Sequence, residues 1–166
     1  MSGQQRQPSK SQQSRRAARE LAVQGLYQWH MTGKAVTTLE AEFRGQVADE
    51  DLEDHENWHK VMEIADLALF HELLHGAVSQ QEVIDGHLAP VLDRRLDELD
   101  AIELAILRLG TYELGFRMDV PYRAAINEGV ELAKSFGATE GHRYVNGILD
   151  KLAVQLRAAE VEARRR

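Results

Sequence analysis

Apolar residues recur at helical spacing along almost the whole chain. Between Arg15 and His30, Ala18, Leu21, Ala22, Gly25 and Trp29 fall on one stripe, with Ser14 as the expected N-cap and Thr32-Gly33 as the stop. Leu39 and Phe43 mark a short helix over residues 39–47. A wide apolar face then passes through Val61, Ile64, Ala65, Ala68, Leu69 and Leu73, which predicts one central core helix over residues 57–77. A further segment covers residues 80–88 before Pro90 interrupts it. Asp100 and Glu103 make a capping-box pattern ahead of Ile102, Leu104, Ile106, Leu107 and Leu109, in a helix that reaches Phe116. Pro121 suits a first helical turn and opens a helix through Ala125, Val130 and Ala133 that stops at Gly137. Thr139 is the expected cap of a last helix carrying Val145, Ile148, Leu149, Leu152 and Leu156. About seven helical segments, with no alternating strand pattern and no internal repeat, predict an all-α bundle.

Composition narrows the setting. The chain has 166 residues, 43% of them hydrophobic and 28% charged, a balance that predicts one folded domain with a single core. Cysteine is absent, so disulfides, thiolate metal sites and cysteine nucleophiles are excluded and a reducing cytoplasm is the expected compartment. No apolar run approaches the roughly 18 residues of a membrane span, and no membrane partner is expected. The Gln, Ser and Arg of residues 1–13 predict a disordered N-terminal tail, residues 14–158 the one folded domain, and residues 159–166 a charged C-terminal tail.

A net charge of -7 argues at first against nucleic acid, because phosphate neutralisation supplies most of that affinity. The charge is unevenly distributed, however. Every charged residue from Met1 to Arg19 is basic (Arg6, Lys10, Arg15, Arg16, Arg19), whereas the stretch from Glu40 to Glu56 is acidic apart from Arg44. Arginines at a helix start oppose the macrodipole by about 0.3–1 kcal/mol each, and a bound phosphate would reverse that cost. Arg16, Glu20, Val23 and Tyr27 are expected to share the solvent face, which puts an arginine beside a ring. The last helix repeats the pattern, with His142, Arg143 and Tyr144 after Thr139. Cations, open N–H groups and stackable rings suit single-stranded RNA, although a solubilising terminus and a core tyrosine explain each cluster separately.

His71-Glu72-Leu73-Leu74-His75 spells H-E-x-x-H, the zinc-hydrolase pattern. The extended motif requires a histidine where Gln81 stands, and His87 offers only an unanchored third ligand. The run is therefore read as coincidence, with no metal, other cofactor or catalytic residue assigned. P-loop, dinucleotide-binding and serine-elbow motifs are missing, and Gly110 and Gly115 are read as helix-packing glycines.

Arg15 to Tyr27 (RRAARELAVQGLY), Val120 to Glu128 (VPYRAAINE), Glu131 to Gly137 (ELAKSFG) and Arg143 to Lys151 (RYVNGILDK), with Leu107-Arg108 and Tyr112-Glu113-Leu114, resemble the NusB family of bacterial transcription antitermination factors. The resemblance spans residues 15–152 and is loose over residues 32–56. It implies a helical fold of two packed subdomains and binding of single-stranded boxA RNA as a heterodimer with NusE, a small-subunit ribosomal protein. It further implies assembly with other Nus factors on RNA polymerase, support of ribosomal RNA transcription, and no catalysis. Carried over by position, the RNA face comprises Arg15, Arg16, Arg19, Gln24, Tyr27, Glu140, Arg143 and Tyr144, and the NusE face Asp97, Glu98, Glu103 and Tyr112. Self-association of the free chain stays open. The same fold serves as an N-terminal domain of ribosomal RNA cytosine methyltransferases; with no cofactor-binding segment after Arg166, a freestanding factor is expected.

Overall fold

The computed structural model describes residues 8–45, 55–137 and 140–165, with the backbone alone for 55–59. Among these residues the chain forms nine α-helices: α1 (Lys10–Thr32), α2 (Val36–Phe43), α3 (His55–Ile64), α4 (Leu67–Ser79), α5 (Gln81–Leu88), α6 (Ala101–Phe116), α7 (Tyr122–Phe136), α8 (Gly141–Leu156) and α9 (Ala158–Arg165). Two single 3-10 turns, Ala89–Val91 and Leu96–Glu98, join α5 to α6. No strand occurs among the described residues, as the all-α expectation required.

α6 is the axis of the bundle. Leu104 through Leu114 is buried without interruption, because α1, α4 and α5 pack on it from one half of the chain and α7 and α8 from the other. Gly110 lets Leu149 of α8 lie directly against the α6 backbone, as its reading as a packing glycine anticipated. Two arginine–carboxylate pairs lie among these apolar contacts, the first sealed and the second partly so. Arg19 of α1 donates to Glu113 of α6 at 2.8 and 2.9 Å, with side chains 7% and 3% exposed. Arg108 of α6 donates to Asp85 of α5 at 3.0 Å through both Nε and Nη2 while its guanidinium lies over the Trp29 ring.

Several boundaries differ from the sequence reading. α1 starts at Lys10, where Ser9 and Gln12 form a reciprocal capping box, so Ser14 lies inside the helix and residues 10–13 are helical. The helix ends at Gly33, whose φ of 68° is the left-handed cap expected of Thr32-Gly33. The long apolar face of residues 57–77 is broken between α3 and α4, because Asp66 accepts from Leu69 N–H at 3.0 Å and starts a new helix. Ile64 is consequently 51% exposed rather than core. The residues expected to form a charged C-terminal tail are helical in α9, with Val161 buried. Thr139, residues 46–54 and residues 1–7 lie outside the described residues, and of the acidic stretch Asp49 to Glu56, read from sequence as a connector, the last two residues are helical in α3.

Candidate nucleic-acid interface

Because α1 begins at Lys10, its free N–H groups lie ahead of the arginine cluster, and the expected phosphate cradle at the helix start is not formed by Arg15, Arg16 and Arg19. The three differ in what they touch. Arg19 is buried on Glu113 and faces the core. Arg16 is partly exposed and donates to Glu128 of α7 at 3.3 and 3.4 Å, which raises its pKa against the opposing effect of burial. Arg15 is exposed. Val23, placed by sequence on the solvent face, is fully buried, while Glu20, Gln24 and Tyr27 are half-buried. Burial raises the Glu20 carboxyl, and Arg16 offsets part of that effect.

At the start of α8, Glu140 makes no side-chain cap, so the first-turn N–H groups have no capping oxygen from it. Arg143 projects with 77% of its side chain exposed, 3.7 Å from Glu140. Tyr144 is half-buried, its hydroxyl donating to Asp93 at 2.9 Å and its ring covered by Arg94 at 5.0 Å. Hydrogen bonds from Arg94 and Tyr144 lower the Asp93 carboxyl to about 2, so this clasp stays charged at neutral pH. It holds Tyr144 near the surface instead of sealing it in the core.

Between α7 and α8 runs a cleft of about 790 Å³. Arg123 and Asn127 line it from α7, His142, Arg143 and Asn146 from α8, and Arg164 and Arg165 from α9. Five cationic or titratable basic side chains therefore face one cleft, with Asp150 as the acidic residue in its lining. Mainly positive charge in a concave surface concentrates the local field, and the asparagines add neutral hydrogen-bonding groups. Arg123, Arg164 and Arg165 were not selected from sequence. The pair at the C-terminus reaches the cleft because Arg157 anchors α9: its guanidinium donates to the Leu114, Glu113 and Arg117 carbonyls at 2.7, 3.2 and 2.8 Å and to Glu160 at 2.9 Å. Glu160 in turn accepts from the Tyr122 N–H at 2.8 Å, tying α9 to the first turn of α7.

The residues selected for a protein partner also separate. Asp97 and Glu98 are exposed around Arg95, each 3.1 Å from its Nε. Glu103 is half-buried beside the start of α8, and burial and then Asp100 raise its carboxyl. Asp100 caps α6 as expected, accepting from the Ile102 and Glu103 N–H groups. Tyr112 is only 8% exposed; its ring lies against the Gly76 backbone and stacks on Phe116 at 5.4 Å, so most of it is committed to packing. In the H-E-x-x-H run, Glu72 lies 3.5 Å from Arg117 and His71 and His75 instead meet Glu40 of α2. Burial opposes the Glu40 charge, but His71 and Arg44 more than offset it and lower the carboxyl's pKa.

The NusB family model matches residues 16–154, which include most of α1, the whole of α6 and α7, and nearly all of α8. The chain belongs to the NusB family. It is 74% identical over 161 residues to the transcription antitermination protein NusB of Chromohalobacter salexigens, covering 97% of each chain. Against the NusB of Pseudomonas fluorescens it is 53% identical, covering 96% of this chain and 87% of the relative. Among solved structures, T. maritima NusB superposes with a TM-score of 0.64 at 25% identity, covering 89% of this chain and 92% of that one. A crystal structure of the antitermination factors NusB and NusE in complex with double-stranded RNA superposes with a TM-score of 0.59 at 26% identity, covering 82% and 93%.

The segments that carry the NusB resemblance build both walls of the cleft. VPYR supplies Arg123 at the start of α7, AINE supplies Asn127 and the Glu128 that meets Arg16, and RYVNG supplies Arg143 and Asn146 on α8. Leu107-Arg108 and Tyr112-Glu113-Leu114 belong to the buried axis that places those walls.

Proposed function

We propose that the chain is a transcription antitermination factor that binds boxA-type RNA in the α7–α8 cleft, as a heterodimer with NusE, and that it performs no chemistry. The cleft is the observation that carries this reading, because Arg123, Arg143, Arg164 and Arg165 converge there in an otherwise acidic chain. The RNA path extends from the cleft to Arg15 and Arg16, with Gln24 and Tyr27 further along α1 and Glu140 and Tyr144 flanking Arg143. Arg19 contributes through packing. Tyr144 is partly exposed, and displacement of Arg94 from its ring would offer unpaired bases a face to stack on, which supports a preference for single strands. The family and the NusB–NusE–RNA neighbour support the partner assignment. Cytoplasmic action with other Nus factors on RNA polymerase, in ribosomal RNA transcription, follows from the same reading.

The test is a titration of single-stranded and double-stranded boxA RNA across a salt series, with and without NusE. Affinity should fall with salt, favour the single strand and rise when NusE is present. Replacing Arg123 and Arg143 together with Ala should flatten the log–log salt slope by about one unit for each phosphate that is no longer neutralised. An unchanged slope would remove the cleft from the RNA path.

Asp97 and Glu98 form the exposed acidic part of the proposed NusE face, suited to a basic ribosomal protein. Reversing both to Lys should weaken NusE binding at least tenfold, most strongly at low salt, and leave the RNA salt slope of the free chain intact. Calorimetry with NusE checks the first effect, and wild-type affinity would place the partner elsewhere.

A further inference from the structure

His71 and His75 stand one turn apart on α4, and Glu40 reaches them from α2. Glu40 Oε1 lies 2.7 Å from His71 Nδ1, and Oε2 lies 3.3 Å from His75 Nε2. All three ligand atoms fall within 4.8 Å of one another. We propose that Glu40, His71 and His75 form a structural site for a divalent transition-metal ion of the zinc class, which clamps α2 onto α4.

Two imidazoles and one carboxylate are a donor set that zinc accepts, with a solvent molecule in the fourth position. Bonds of roughly 2.0–2.2 Å in a tetrahedron put neighbouring ligand atoms about 3.3–3.6 Å apart, the separation of His75 Nε2 from Glu40 Oε2; His71 meets the other oxygen, so binding turns the carboxylate to present one oxygen to the ion shared by both rings. The shorter His71–Glu40 contact opens by a few tenths of an ångström when an ion replaces the shared hydrogen. The stacked rings, 4.1 Å between centroids, present Nδ1 from one residue and Nε2 from the other toward the same carboxylate. His71 is 54% exposed, which leaves an entry path and room for water.

The arrangement clamps helices and does not hydrolyse. In an H-E-x-x-H hydrolase the inner glutamate activates the metal's water. Here Glu72 is drawn toward Arg117, and the carboxylate at the histidines is Glu40. α2 has only eight residues and its N-cap Ala35 makes no side-chain hydrogen bond, so Leu39 and Phe43 supply its buried apolar anchorage. A coordinate bond from Glu40 strengthens that attachment directly.

Zinc chloride titrated into the tag-free full chain against a chromophoric chelator should give one tight equivalent, and cobalt substitution should give the visible absorption of a low-symmetry, four-coordinate ion. Thermal unfolding should shift upward with zinc, as binding to the folded state requires. His71→Ala and Glu40→Gln should each weaken binding at least tenfold while far-UV circular dichroism stays that of the folded chain; His71 is exposed enough, and glutamine similar enough in size, for both to fold. His87→Ala should leave the affinity unchanged. Absence of a stoichiometric equivalent, or binding that survives His71→Ala and Glu40→Gln, would overturn the assignment and leave Glu40 as a hydrogen-bond acceptor alone.

Discussion

Replacing Arg19 with alanine is expected to lower the stability of the fold by about 3–5 kcal/mol, the range for removing one partner of a buried ion pair. Arg19 and Glu113 are almost fully shielded and exchange two parallel hydrogen bonds. Burial opposes the arginine's charge, yet the hydrogen bonds and attraction of Glu113 outweigh it and raise its pKa. Without the guanidinium, a buried carboxylate remains in the last turn of α6 with its main source of compensation gone. By contrast, exposed pairs such as Arg95–Asp97 are worth roughly 0–1 kcal/mol. Urea unfolding of Arg19→Ala, Glu113→Ala and the double variant measures the coupling, and the double variant should lose less than the two singles added together. Arg19→Met with Glu113→Leu should restore most of the stability. A loss below about 1 kcal/mol in Arg19→Ala would show that the pair does not hold α1 to α6. The same variant separates packing from RNA contact, because its folded fraction should keep the wild-type salt slope whereas removal of a phosphate ligand flattens it.

Arg19 also shows how far one-dimensional charge can be read. Next to Arg15 and Arg16 it looks like part of a basic patch, and nothing local reveals Glu113, which is 94 positions away. α1, α6 and α7 were legible because periodic apolar residues and strong end signals agree: Gly33 closes α1, Asp100 caps α6, and Pro121 and Gly137 bracket α7. Where those signals conflict, the local cap prevailed. The apolar face through Ala65 runs on without interruption, but Asp66 satisfies the Leu69 N–H and divides the predicted helix. α9 was hidden for a different reason: its arginines resemble a solvated tail, and its docked face comes from Val161, the Glu160–Tyr122 contact and the tertiary anchor at Arg157. The cleft was consequently half legible, with Arg143 found from its place near the start of α8 and Arg164 and Arg165 missed. Glu40 was missed as a partner of the histidines because the contact spans 31 positions.

Arg157→Ala should both destabilise the chain, by about 3 kcal/mol, and weaken RNA binding, through one cause. Its buried guanidinium donates to three carbonyls at the C-terminal end of α6 and the adjoining turn; the Glu113 and Arg117 carbonyls also accept from backbone N–H groups, whereas the Leu114 carbonyl, in the last turn, relies on Arg157. Hydrogen bonds from a charged donor are among the stronger kind, and alanine removes all of them at once, leaving the buried Leu114 carbonyl without its donor. Detachment of α9 also removes the Arg157–Glu160 link and loosens the hold of Glu160 on the Tyr122 N–H, so Arg164 and Arg165 no longer stand over the cleft. The salt slope for boxA RNA should then fall by up to about two units, the share of those two cations. Arg164→Ala with Arg165→Ala supplies the comparison: the same fall in slope, with the urea midpoint unmoved because both side chains are exposed. Arg157→Lys should rescue neither property, since one ammonium cannot span the carbonyls and Glu160 as a planar fork does. If Arg157→Ala unfolds at the wild-type urea midpoint yet binds RNA weakly, Arg157 acts on the RNA directly and not through α9. If it unfolds early but keeps its slope, the C-terminal arginines lie outside the RNA path and the cleft binds through Arg123 and Arg143.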